Sequence, residues 1–404
     1  MFINELPDDC LLIIFGQISG LDDLVNCYKV CNKWSQLITE RTRKVKYLVE
    51  HRFFWNRGSR NYPFDYVYYG TKEPIDGTCL STLFPNLIIA DFSDTFIEKV
   101  KHEEIVTLVK NMKSCKGLIH QHSYFYPPKE SIFQYCDELE MVSTNYIDQY
   151  IANKRVNIKQ LNLWDYNLSK FTRRKHYFRN LERLHIYSDG DEESYYHVPR
   201  LRRLKILELY LLPRDDEDIY YGFKFMDSFR NLQSAHIYLL FDDIFVDESL
   251  KHESLRDLVI EFYISEYNDN YKWNEWKSLF TKYPNLKHLA LRSNWRLKND
   301  HVKQLVRILP NLVLFDARGC RQVTQEAASY VQDYNRLHGR SIKFYFVGNY
   351  REIHSDWPHL STKTETISQG FDFMKHCFLK DFGQLSTFLI SNEYRSINNV
   401  YSRY

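Results

Sequence analysis

From about residue 84 to residue 346 one spacing recurs: an apolar residue, two variable positions, an apolar residue, one variable position and another apolar residue. It runs through Ile158-Lys159-Gln160-Leu161-Asn162-Leu163, Leu181-Glu182-Arg183-Leu184-His185-Ile186 and Leu204-Lys205-Ile206-Leu207-Glu208-Leu209, and again through Leu232 to Ile237, Leu255 to Ile260, Leu286 to Leu291 and Leu312 to Ala317. Earlier members stand at Phe84 to Ala90 and Leu139 to Val142, a weaker one at Leu118-Ile119, and a last strand at Ile342 to Phe346. Alternation over so few residues predicts short strands, each with one face buried. Between them the period changes to that of a helix, as in Ile97, Val100, Ile105, Leu108 and Met112, or Trp273, Trp276, Leu279 and Phe280. Val302, Leu305, Val306 and Leu309 outline a third helix, with Asn299 or Asp300 as its N-cap and Pro310 as its stop. Thr324 caps a fourth, through Ala327, Ala328 and Val331, that ends near Gly339. Strand and helix repeated in this way give a stack with a parallel sheet inside and helices outside, so the fold class is α/β.

Successive leading residues from Leu139 are 19, 23, 23, 28, 23, 31 and 26 positions apart. Many strands are entered through related tokens, Phe84-Pro85-Asn86-Leu87, Tyr283-Pro284-Asn285-Leu286, Leu309-Pro310-Asn311-Leu312, Phe178-Arg179-Asn180-Leu181 and Phe229-Arg230-Asn231-Leu232. Asn294 and Cys320 stand three residues beyond the last strand leucine or its equivalent. On these residues the chain resembles an irregular leucine-rich repeat solenoid over residues 84–350, with a concave parallel sheet. The resemblance implies that Asn294 and Cys320 tie down the turn backbone, while Leu212 and Asp189 at equivalent places break the pattern. A Rossmann-like arrangement of strands and helices needs a glycine-rich phosphate loop, and the 13 glycines are scattered.

The first 40 residues follow a helical period. Pro7, Asp8 and Asp9 form a helix-start signal before Leu11, Ile14, Phe15 and Ile18. Gly20 interrupts, then Leu21, Leu24, Cys27, Tyr28 and Cys31 trace a second stripe, and Trp34, Leu37 and Ile38 a third that ends in Arg41, Arg43, Lys44 and Lys46. Leu12 and Ile13 make the first helix apolar on more than one face, which predicts two surfaces to bury. The Leu6-Pro7 opening, the Leu21-Asp22-Asp23-Leu24 turn and Val30-Cys31-Asn32-Lys33-Trp34 resemble the F-box. That resemblance implies a three-helix module that docks onto Skp1, and through it onto a cullin-RING ubiquitin ligase, by way of Leu6, Pro7, Leu11, Ile14, Phe15, Leu24, Val30 and Trp34. The bland reading of the same positions is a helical cap on the first repeat of a scaffold.

The chain then divides into residues 1–45 as the helical module, 46–83 as a linker or first cap, 84–350 as the solenoid and 351–404 as a C-terminal cap. A tail folded back over the concave face is the alternative for the last segment. The aromatic cluster Tyr62, Phe64, Tyr66, Tyr68 and Tyr69 suits either a strand or a packed junction.

Composition narrows function mostly by exclusion. With 54 basic and 52 acidic residues, no sequence-wide field favours nucleic acid. No stretch has the roughly 20 apolar residues of a membrane span, and the acidic first residues argue against a secretory signal. The eight cysteines form no CxxC pair and read as free thiols in a reducing compartment, which places the chain in the cytoplasm, with the nucleus also open. The acceptor-like Asn167-Leu168-Ser169 is then silent. No catalytic motif, cofactor loop or metal-ligand set is present, so no catalytic, cofactor or metal residue is assigned.

Function therefore falls to surfaces. The candidate contacts for an unknown protein substrate are Arg183, His185, Tyr187, Glu208, Tyr210, Lys287, His288, Arg292 and Trp295, on the strands or just past them. Asp165, Tyr166 and Tyr263 extend that rim. Insertions at 189–196, 213–221, 241–248 and 265–273 follow strands, and three of the four are acidic, which suggests an acidic, tyrosine-rich edge that meets a basic segment.

Overall fold

Pro7 is the N-cap of α1 (Asp8–Gly16) in the computed structural model, and Asp8 and Asp9 fill its first turn, where acids meet the positive end of the helix dipole. Gly20 precedes α2 (Leu21–Tyr28) and Cys31 precedes α3 (Asn32–Thr42). Leu11, Phe15, Leu21, Leu24, Val25, Leu37 and Ile38 are buried between the three helices. Arg41 of the basic run donates to the carbonyls of Phe15 at 3.2 Å and Ile18 at 2.8 Å, so it ties α3 to the C-terminal end of α1 and the turn after it.

The structure describes residues 3–50, 66–70, 73–121, 130–154, 156–166, 168–173, 178–189, 201–213, 219–241, 243–263, 272–353 and 373–390. They fall into two units, Met1–Gln160 with Thr364–Gln369 and Thr387–Tyr404, and Leu161–Lys363 with Gly370–Ser386.

In the first unit the strands are β1 (Tyr47–Glu50), β2 (Tyr66–Tyr69), β3 (Ile89–Phe92), β4 (Gly117–His120) and β5 (Met141–Thr144). They lie in the order β2-β1-β3-β4-β5, all parallel where register is defined. The sheet thus begins at Tyr47, inside the stretch expected to be a linker or first cap, and Tyr66 to Tyr69 of the aromatic cluster is strand; Tyr62 and Phe64 lie outside the described residues. The helix expected through Ile97 and Met112 is two, Asp94–Ile97 and His102–Asn111. Between them the Lys99 carbonyl accepts the Ile75 amide at 2.9 Å, which takes it out of any helical ladder. Residues 387–390 of this unit pack Phe388 and Ile390 against Tyr47, Ile89, Ile119 and Met141, and the Leu389 amide donates to Gln160 Oε1 at 2.7 Å.

The second unit continues with β6 (Gln160–Trp164), whose first residue belongs to the first unit, then β7 (Arg183–Asp189), β8 (Ile206–Leu212), β9 (Ile219–Tyr220), β10 (Ser234–Leu239), β11 (Asp243–Ile244), β12 (Asp257–Phe262), β13 (His288–Arg292), β14 (Leu314–Asp316) and β15 (Lys343–Tyr345). Parallel ladders join β7, β8, β10, β12, β13, β14 and β15 in chain order, while β9 and β11 form a small pair of their own. Repeat leucines such as Leu184, Leu207 and Leu289 are fully buried. Helices Trp273–Thr281, Asn299–Ile308 and Gln325–His338 follow β12, β13 and β14. Thr324 caps the last of these and Gly339 ends it in the left-handed conformation, φ 62°. Asn299 is the first helical residue and not the cap, which is Lys298; its side chain instead pairs with Thr324, donating to Oγ1 at 2.9 Å and accepting the amide at 2.9 Å.

The turn chemistry is that of a leucine-rich repeat. Asn294 Oδ1 accepts the amides of Arg296 at 2.9 Å and Leu297 at 3.1 Å, and the Cys320 thiol donates to the Leu291 carbonyl at 3.0 Å. The asparagine of the strand-entry token ties its turn to the one before it at three places in the second unit. Asn231, Asn285 and Asn311 donate to the carbonyls of Arg202, Glu253 and Pro284 at 2.7, 2.8 and 3.0 Å. Asn86 does the same to Arg43 at 3.0 Å within the first unit. The chain is therefore a helical N-terminal segment followed by parallel-strand solenoid.

Candidate interaction surfaces

The residues marked for docking in the helical segment divide into two groups. Leu11, Phe15 and Leu24 are buried and hold the three helices together. Trp34 is half-buried, with its ring edge-on to Phe15 at 5.0 Å and its indole N–H donating to Asn4 Oδ1 at 2.6 Å. Pro7 lies exposed, Leu6 half-buried. Ile14 and Val30 are exposed by 41 and 55 %. Ile13 at 68 % and Ile3 at 49 % join them, although sequence reasoning did not single them out for docking. The clue was that α1 has more apolar positions than one buried face takes up.

The candidate contacts on the strands have a different fate. Arg183, His185 and Glu208 come together in the second unit, on the face away from the repeat leucines, and all three are buried. Arg183 Nη2 donates to Glu208 Oε2 at 2.8 Å, and His185 Nδ1 lies 2.9 Å from the same oxygen. Burial alone would push the Glu208 carboxyl up, but Arg183 and His185 outweigh it and hold it at about 2. Arg292 and Asp316 repeat the motif at 3.1 Å. His288 Nδ1 sits 2.6 Å from Asp257 Oδ1.

These polar groups are covered by residues 373–386 of the same unit. Arg183 Nη2 donates to the Ser386 carbonyl at 2.6 Å, and Arg292 donates to the carbonyls of Lys380, at 2.6 Å, and Phe378. In the other direction the Phe382 amide donates to Glu261 Oε2 at 2.8 Å. The Phe382 ring rests on His185 at 5.0 Å and on His236 at 5.4 Å. Arg183, His185, Glu208 and Arg292 thus contact the chain's own C-terminal strap. The rest of segment 351–404, where a cap or a tail folded back over the concave face was expected, lies outside the described residues apart from 351–353 and the residues packed in the first unit.

Tyr187 and Tyr210 stand inside β7 and β8, not past their ends, and both remain half-exposed. Tyr263 is one residue beyond β12 and 58 % exposed. Asp165, exposed, turns the chain after β6 at φ 50°, and Tyr166 is buried. Lys287 is exposed ahead of β13, and Trp295 lies under the Arg321 guanidinium, 4.5 Å from the ring centre. Neither of the last two joins the other candidates. Of the four insertions, residues 190–196, 214–218, 242 and 265–271 lie outside the described residues. Among the described residues no group of three or more His, Cys, Asp or Glu could hold a metal ion, and no helix is long and apolar enough to cross a membrane.

Residues 3–43 match the model of the F-box-like family. No curated protein matches the chain. Among solved structures it is similar to the yeast Rad7 and Elc1 complex, at 16 % identity over 79 % of this chain and 90 % of that one, with a TM-score of 0.37. It is also similar to an internalin of Listeria monocytogenes, at 14 % identity over 78 and 86 % of the two chains and a TM-score of 0.37. A leucine-rich repeat protein of Leptospira interrogans gives 13 % identity, 84 and 98 % coverage and a TM-score of 0.34. Residues 3–43 are thus an F-box-like segment, and the parallel-strand repeats described above follow it.

Proposed function

We propose that this protein is a non-catalytic substrate receptor of a Skp1-cullin-RING ubiquitin ligase in the cytoplasm, with the nucleus also open. The helical segment docks on Skp1, and the repeats hold a protein substrate near chemistry carried out by other subunits, which is a contribution of effective concentration. The observation that carries this reading is the exposed apolar set Ile3, Ile13, Ile14 and Val30 within a segment of F-box-like sequence. A module that already buries Leu11, Phe15 and Leu24 has no internal use for them, and exposed apolar clusters mark interfaces.

Calorimetric titration of the full chain with purified Skp1 tests the reading. Micromolar or tighter binding is expected, abolished by Ile13→Glu combined with Ile14→Glu with no change in thermal stability. A folded chain that does not bind Skp1 would instead be a scaffold whose helical segment has another role.

A further inference from the structure

The strap over the polar face of the second unit differs from a permanent part of its core in three ways. First, no strand forms in residues 373–386, which hold only a four-residue helix, Phe373–His376, and one 3-10 turn, Phe382–Gln384. Side chains of the face, rather than a sheet ladder, take its main-chain groups: Arg292 and Arg183 the carbonyls of Phe378, Lys380 and Ser386, and Glu261 the Phe382 amide. Second, the charges beneath keep partners of their own without it. Arg183 has Glu208 at 2.8 Å and Arg292 has Asp316 at 3.1 Å, while Glu261 still has 17 % of its side chain in water. Third, His185 Nε2 and His236 Nδ1, on the two rings that Phe382 rests against, are buried with no hydrogen-bond partner among the described residues.

A face that is always covered gains from being apolar, since buried ion pairs can often be replaced by packed apolar residues with no loss of stability. Buried polar atoms without partners are a further cost of the closed state. Uncovered, the same residues lose nothing: the ion pairs stay paired and water reaches both imidazoles. The face therefore suits an open state as well as the closed one. Phe373, Phe378 and Phe382, exposed by 2, 0 and 5 %, hold the strap down, and the chain freedom lost over residues 373–386 opposes them. What the face takes from the strap is main chain, three carbonyls and one amide, together with aromatic rings. Phe378 lies 5.8 Å from the Arg292 guanidinium and 6.3 Å from the His288 ring. Four residues on, Phe382 lies 5.8 Å from Tyr210 and 6.0 Å from Tyr238 as well as against the two histidines.

We infer that residues 373–386 are an internal competitor for this face: the strap lies on it at rest and gives way to a partner segment of the same chemistry, a peptide with two aromatic residues four apart whose main chain Arg183, Glu261 and Arg292 grip. This rests on the reading of the repeats as the substrate-holding part, and names both the chemistry of what they hold and the element that limits access to it.

Cys377 of the strap supplies the readout. It is 1 % exposed, and burial pushes its thiol up to about 12, so alkylation is slow while the strap is down. The probe is a synthetic peptide of residues 373–386 carrying Cys377→Ser, added to the full chain without Skp1. Iodoacetamide labelling at Cys377, read by mass spectrometry, is expected to speed up about tenfold with saturating peptide, as the open fraction grows. By fluorescence anisotropy the labelled peptide is expected to bind the Phe382→Ala chain at least about tenfold more tightly than the natural chain, because apparent affinity rises with the fraction of chains that are open. The peptide that also carries Phe378→Ala and Phe382→Ala is expected to lose binding to both. A Cys377 labelling rate that the peptide leaves unchanged in the natural chain overturns the inference, and that measurement needs no variant to fold. So does equal affinity for the natural and the folded Phe382→Ala chain, or equal binding of a scrambled peptide of the same composition. The Ile13→Glu, Ile14→Glu chain must give the same labelling response, so a failure here and a failure of Skp1 docking are separate results.

Discussion

The Arg183 guanidinium meets the Glu208 carboxylate at 2.8 Å across β7 and β8, with 1 % of one side chain and none of the other exposed to solvent. A charge pair so placed is stable only while it is complete, because loss of either partner leaves the other unpaired away from water. Arg183→Met is therefore expected to cost about 3–5 kcal/mol of stability in urea denaturation, with part of the loss restored when Glu208→Met is added. An unchanged midpoint in the single variant would show that the pair does not hold the two strands.

The same pair sets an acid limit. The Glu208 carboxyl moves from its ordinary 4.5 down to about 2 in the folded chain, so it binds a proton more readily once unfolded. Its contribution is complete above pH 4.5 and is lost as the pH falls through about 2. The stability gap between the natural chain and Glu208→Gln, followed by denaturant titration at a series of pH values, should be flat above pH 4.5 and narrow steadily below it. A gap that widens on acidification contradicts this assignment.

In the helical segment two neighbouring apolar residues should give opposite phenotypes. Leu11→Ala is expected to lose about 2–5 kcal/mol because its side chain is fully buried. Ile13→Glu, 68 % exposed, should change stability by less than about 0.5 kcal/mol and yet remove the affinity for Skp1. Circular dichroism melts with calorimetric titrations separate the two effects.

Phe382→Ala should loosen the strap at its centre. The expected cost is about 3–5 kcal/mol, and limited proteolysis should cut beyond residue 373 faster than in the natural chain. Cleavage at an unchanged rate would mean that Arg183 and Arg292 hold the strap without the ring.

At Gly339 the backbone is left-handed with φ 62° and no atom lies within 4 Å of where a Cβ would stand. Gly339→Ala therefore isolates the conformational cost of an L side chain in that region, about 1–2 kcal/mol in a thermal melt.

The repeat was legible because each strand buries leucines at a fixed spacing, and the Asn294 and Cys320 ties were implied by the resemblance to leucine-rich repeats. The strand-entry asparagines were visible as a token, but their partners, carbonyls more than twenty residues earlier in the chain, leave no local mark. The strands before residue 84 were harder to read because Val45, Leu48 and Val49 suit either period and β2 pairs on the side of β1 away from β3, out of chain order. On the polar face, Arg183, His185 and Glu208 were picked out as residues standing between buried leucines. A cover for them stood in the sequence only as the alternative of a tail folded back, because Phe371, Phe373, Met374, Cys377 and Phe378 resemble one amphipathic segment that any apolar surface would accept. In α1 the surplus of apolar residues was plain, but which of them point outward depends on how α2 and α3 cross it.

Arg183 and the Ser386 carbonyl that it grips are 203 residues apart in sequence. At the roughly 5–20 residues per second of synthesis, the face beneath the strap stands open to water for roughly 10–40 seconds after β7 is made. An apolar face left waiting so long would invite association with other nascent chains. One built from arginine, glutamate and histidine stays hydrated until the strap arrives, so the polar character of that face serves the order in which the chain is made as well as the folded state.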